Sequence, residues 1–115
     1  MVKQNFLIGI LFVLLVLSVL FSYGWAQSVG SVVITSPTDG ATVHGPVIEL
    51  DLKVERGARG DGVHLYVDGR FEAIVKGDRY LLKGLPPGSH RIDAMLAART
   101  HEELGPSASV TFTVE

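Results

Sequence analysis

Four stretches of the chain alternate apolar and polar residues with a strict period of two. In a strand, that period places every second side chain on one face. In "VIELDLKV", Ile48, Leu50, Leu52 and Val54 share one face, and Val47, Glu49, Asp51 and Lys53 share the other. "VHLYVD" sets Val63, Leu65 and Val67 against His64, Tyr66 and Asp68. "RIDAMLA" sets Ile92, Ala94 and Leu96 against Arg91, Asp93, Met95 and Ala97, and "SVTFTVE" sets Val110, Phe112 and Val114 against Ser109, Thr111 and Thr113. Each reads as an antiparallel strand with one buried and one wet face. After residue 26 no stretch sustains a helical apolar stripe for three turns, and at most one helical turn is allowed near Thr100 to Leu104.

Weaker strand signals lie at "SVVITS" (31–36), "FEAIV" (71–75) and "RYLLK" (79–83). Turn signals separate the strands: "SPTDG", "GARGDG", Asp68-Gly69, "KGD" and "GLPPGS". Asp68-Gly69 predicts a two-residue hairpin, because a type I′ turn needs positive φ at both central residues. Seven short strands, at 31–36, 47–54, 63–68, 71–75, 79–83, 90–97 and 108–115, predict an all-β, immunoglobulin-like antiparallel sandwich.

The first residues differ in kind. "MVKQN" precedes the apolar run "FLIGILFVLLVLSVLF", and "SYGWAQ" follows. A short positive start, an apolar run and small residues at Gly24 and Ala26 predict a signal peptide over residues 1–26, cleaved before Gln27. An uncleaved membrane anchor is the rival, since Phe6 to Trp25 is near spanning length. Both readings export residues 27–115, to the periplasm or the cell exterior. Without Lys3, the single charged residue of that segment, nine Lys and Arg face twelve Asp and Glu, a net charge of −3. That balance, with no basic run, argues against nucleic acid, and leaves membrane contact to the N-terminal segment if it is retained. The absence of cysteine excludes disulfides, thiolate metal sites, thiol catalysis and a lipidated cysteine.

"LKGLPPGSHRIDAML" followed by "SASVTFTVE" resembles the closing strands of small bacterial immunoglobulin-like or fibronectin type III-like domains. There a Leu-x-Pro-Gly turn leads into a long strand, and an alternating Thr/Val strand ends the domain. The Cys…Trp…Cys core of antibody domains is missing. The segments "GVHLYVDGR" and "THEELGPSASVTFTV" are also similar to periplasmic domains carrying a His-x-His-Leu-Tyr-Val-Asp-Gly segment. That likeness implies metal binding, but Gly62 stands where the pattern has its first His.

Sandwich topology sorts the histidines. His64 and His101 belong to one end, where the loop after residue 54 meets the loop after residue 97, and His44 and His90 belong to the other. His64 is out of phase with its strand's buried residues, so its ring faces outward. Two imidazoles with a carboxylate suit Zn²⁺ or Cu²⁺. Asp61 and Glu102 are candidate completions, and Met95 offers a thioether to Cu⁺. A shared ion requires ring nitrogens within about 4 Å of each other. His90 is in phase with Ile92 and points inward, where it is expected to hydrogen-bond a loop carbonyl. His44 receives no role.

Arg59-Gly60-Asp61 reads as a charged, flexible loop, since a tripeptide arises by chance too easily to signal adhesion. No serine sits in a Gly-x-Ser-x-Gly elbow, no glycine loop precedes a helix, and Glu102-Glu103 reads as a solvated acidic edge. The chain is therefore expected to be non-catalytic. Two functions stand: an exported interaction or structural module of a bacterial cell envelope, and a periplasmic copper or zinc binder using His64 and His101. The first would use the outward face carrying Tyr66, Asp93, Met95 and Thr111, with an envelope protein or ligand as partner.

Overall fold

The computed structural model describes residues 28–115, so the predicted N-terminal segment 1–26 and its cleavage point lie outside the described residues. Eight strands follow in order: β1 (Ser31–Ser36), β2 (Thr42–Val43), β3 (Val47–Glu55), β4 (Gly60–Val67), β5 (Arg70–Val75), β6 (Arg79–Lys83), β7 (Gly88–Ala98) and β8 (Glu103–Val114). They form a three-stranded sheet, β1-β3-β6, and a five-stranded sheet, β2-β8-β7-β4-β5. The pairs are antiparallel except β2 with β8, which run parallel over two residues.

The period-two pattern determines the core. Ile48, Leu50 and Leu52 of β3 face Val63 and Leu65 of β4, Ile92 and Leu96 of β7, and Phe112 of β8, all buried. Burying each such side chain stabilises the fold by roughly 1.5–3 kcal/mol. With no disulfide available, this apolar layer between the sheets is the main source of stability.

The β4–β5 hairpin turns on Asp68 and Gly69, with φ of 52° and 81°. Positive values at both positions match the I′ geometry expected from the dipeptide. A Cβ at Gly69 would meet nothing within 4 Å. Gly69→Ala is therefore expected to cost only the left-handed backbone penalty, about 1–2 kcal/mol. Gly69→Asn should cost less, because Asn tolerates that conformation. Thermal unfolding of the two variants checks the difference, and equal losses would show that something other than φ constrains the position.

Three departures from the sequence expectation bear on function. β2 carries too few residues to show a period, and its pairing with β8 is a tertiary event. β8 begins at Glu103, five residues before the predicted start, because a register shift between Met95 and Ala97 absorbs Gly105 and Pro106. Where one helical turn was allowed, the chain makes a tight hairpin. The Ala98 amide donates to the Glu102 carbonyl at 2.8 Å, and the His101 amide donates to the Ala98 carbonyl at 2.9 Å. His101 closes that turn with φ of 70°, a position that usually takes glycine.

Candidate functional site

Strand register sets what stands on the outward face of the five-stranded sheet. His64 lies opposite Ile74 on one side and Met95 on the other. Tyr66 lies opposite Phe71 and Asp93, and Ala97 lies opposite Glu103. Residues directly opposite share a face, so β4, β5, β7 and β8 all contribute to one patch. The loop after β3 and the hairpin between β7 and β8 meet at its upper end, where Arg59 Nη2 donates to Glu102 Oε2 at 2.7 Å.

His64 is at the centre. Its ring faces outward, as its phase requires, yet its side chain is only 10% exposed. Neighbours roof it over: Phe71 meets it edge-on at 5.9 Å between ring centres, and His101 lies over it at 5.8 Å with planes 27° apart. Phe71 also meets Tyr66 edge-on at 5.8 Å. The sequence shows which face His64 takes, but the cover comes from side chains on another strand and a hairpin.

Glu103 ties the patch together. Its Oε1 accepts a hydrogen bond from the Tyr66 hydroxyl at 2.6 Å and lies 3.5 Å from His64 Nδ1. That hydrogen bond, with smaller help from burial and the carboxylate's charge, pushes the Tyr66 phenol above its ordinary value. Glu103 faces the Nδ1 side of the His64 ring. Nε2 is buried and has no hydrogen-bond partner among the described residues. An unpaired buried polar atom is costly and uncommon in native folds.

Of the residues predicted to complete a metal site, His64, His101 and Met95 fall on this patch, while Asp61 and Glu102 are engaged elsewhere. Asp61 is paired with Lys76, whose hydrogen bond is the main influence holding the Asp61 carboxyl below its usual value. Glu102 is paired with Arg59. Among the described residues no group of three or more His, Asp or Glu side chains is placed to hold a metal ion. Glu103, read from the sequence as part of a solvated edge, is the carboxylate that reaches the histidine. Its signal is its place opposite Ala97, invisible when the last strand is read as starting at Ala108.

The Arg-Gly-Asp tripeptide leaves the turn at Arg59, which is exposed, and runs into a strand. Gly60 and Asp61 belong to β4, and both charged members are ion-paired within the domain. A Cβ at Gly60 would lie 2.1 Å from the Arg56 carbonyl oxygen, which accepts the Gly60 amide at 2.9 Å. Glycine is thus required here by backbone crowding.

The lower half of the face is polar and self-paired. Asp93 is bonded by Arg91 and Ser109, which outweigh the effect of burial and hold its carboxyl below the usual value. Thr111 is exposed, and its amide donates to Asp39 Oδ1 at 2.9 Å. At the opposite end of the sandwich, His90 is buried as expected, with Nε2 2.6 Å from the Pro86 carbonyl. It also bonds Asp68 Oδ2 through Nδ1 at 2.6 Å, a partner that sequence reasoning missed. His44 sits in the open, 3.8 Å from Glu115 Oε2.

No family model and no curated protein matches the sequence. Solved structures do match the fold. The fibronectin(III)-like modules of CbhA from Clostridium thermocellum superpose with a TM-score of 0.60 at 18% identity, over 73% of this chain and 95% of that one. The fold is a fibronectin type III-like β-sandwich. An engineered protein matches at a TM-score of 0.51 and 16% identity, over 75% of this chain and 20% of that one. At such identities the likeness is one of architecture, and sandwiches of this type host many functions. What this sandwich does must be argued from its own outward face.

Proposed function

We propose that this chain is a non-catalytic, exported interaction module of a bacterial cell envelope. It docks an envelope protein through the outward face of its five-stranded sheet. The observation that carries the reading is the pair Phe71 and Ile74, 56% and 39% exposed, which stand on that face beside Tyr66 and His64. Both lie on β5, which pairs with β4 at the end of the sheet order. Aromatic side chains presented on a rigid sheet are the usual anchors of protein interfaces. Among the described residues no strand pairs with the outer edge of β5, and its backbone groups can take a partner strand. Export is supported by the N-terminal sequence.

A photo-cross-linking residue at position 71, in cells making the full chain, tests this. An adduct with one envelope protein is expected, and Ile74→Asp should abolish it. The same yield from position 49, on the outer side of the other sheet, would remove this face from consideration. Ile74→Asp, at an exposed position, is expected to cost less than about 1 kcal/mol of stability, the range of a cross-strand pair. Loss of the adduct would then report docking and not unfolding.

A further inference from the structure

We propose that His64, His101 and Met95 form a binding site for a soft, low-coordinate cation of the Cu⁺ class, with Glu103 orienting the His64 ring. The inference is independent of the docking role, although the two share a face.

Four observations meet at this point. His64 Nε2 is buried with no partner among the described residues, in a side chain only 10% exposed. Its other ring nitrogen is 3.5 Å from the Glu103 carboxylate, which stands on the side from which a carboxylate orients a metal-binding histidine. A second imidazole, His101, stands 5.8 Å away. Met95, half-buried on the same face, lies directly across the ladder from His64. A thioether is a soft ligand that selects Cu⁺ over Zn²⁺.

The spacing of the two rings is within reach of one shared ion. An ion ~2.0 Å from an imidazole nitrogen lies about 3.2 Å from the ring centre, so two rings sharing one ion have centres up to about 6.4 Å apart, and 5.8 Å lies within that reach. The His101 side chain is solvent-exposed and can turn about its χ angles to present a nitrogen. The missing third His, Asp or Glu among the described residues counts against a zinc site and leaves a two-imidazole, one-thioether site untouched.

His101 adds an observation of another kind. It holds a left-handed backbone, φ 70°, where glycine would be easier. A strained residue points to a role for its side chain. It also supplies a variant that does not risk the fold.

The test is anaerobic competition for Cu⁺ between the full chain, in detergent, and a chromophoric chelator. One equivalent of Cu⁺ should move to the protein. His101→Gly should weaken binding by more than about 100-fold, and Glu103→Gln by about 10–100-fold, while the thermal midpoint of His101→Gly stays level or rises. Met95→Leu should weaken Cu⁺ binding and leave any Zn²⁺ binding unchanged. No transfer of Cu⁺, or full affinity in His101→Gly, overturns the site. A Met95→Leu variant as good as the wild type overturns the soft-ion assignment. None of these results touches docking, which is tested at positions 71 and 74.

Discussion

Phe112→Ala is expected to cost about 3–5 kcal/mol, the range for removing a buried aromatic side chain from a packed core. Phe112 is 1% exposed and fills the space between the sheets from β8. Its ring centre lies 6.2 Å from that of His90, so the cavity would also open beside the group that fastens the lower end. A domain of this size has a total stability of roughly 4–13 kcal/mol at ~0.05–0.15 kcal/mol per residue. The variant should therefore show a large unfolded fraction near physiological temperature, read by urea denaturation with an unchanged slope. Phe112→Leu keeps most of the volume and should lose less than about 1.5 kcal/mol. Equal losses would mean that aromatic contact, and not filled volume, is what matters at this position.

His90→Ala should cost about 2–3 kcal/mol at mildly acidic pH, the range for hydrogen bonds to charged groups, and the loss should shrink as pH rises. Both ring nitrogens face acceptors: the Asp68 carboxylate and the Pro86 carbonyl, each at 2.6 Å. A neutral imidazole carries one N–H, so both bonds form only in the imidazolium. The Asp68 hydrogen bond, then that of the Pro86 carbonyl, raises the His90 pKa against the opposing effect of burial. Burial would raise the Asp68 carboxyl, but hydrogen bonds from the His90 ring and the Arg91 amide outweigh it and bring it below the ordinary value.

The two shifts define a window. A raised histidine contributes its full stability below the ordinary value of 6.5 and loses it as pH climbs through the raised one. A lowered carboxylate contributes above its ordinary 3.8 and loses that as pH falls through the lowered one. The gap between wild type and His90→Ala should be widest between those two ordinary values and close on either side. Urea denaturation at about pH 5.5 and about pH 9.5, on either side of the ordinary imidazole value, measures it. A gap that does not change with pH would make His90 a packing residue, with no role for its charge.

The legible parts of this protein are local ones. Alternation alone assigns Leu50, Leu65, Ile92 and Phe112 to the core, and each is at most 1% exposed. Asp68-Gly69 specifies its hairpin because the turn's dihedral requirement falls on those two residues themselves. Phase gives His90 its inward direction, and its place at a strand start gives it a carbonyl partner. Its bond to Asp68 is not legible, because Asp68 is fully explained as a turn residue and lies 22 positions away.

The outward patch is half legible. Phase puts His64, Tyr66 and Met95 on one face, and topology brings His101 to the same end as His64. Choosing among Asp61, Glu102 and Glu103 needs more than phase. Lys76 and Arg59 occupy the first two, and only a strand begun at Glu103 turns the third toward His64.

Local pattern accounts for the sandwich, its core and its principal hairpin, since a period of two and a dipeptide's φ preferences act within a few neighbouring residues. Long-range packing covers His64, brings Glu103 to it and leaves Nε2 without a partner among the described residues. Those contacts join residues from β4, β5, the hairpin after β7, and β8. Their meeting depends on ladder register and on one extended strand, which alternation fixes for a face but not for a neighbour.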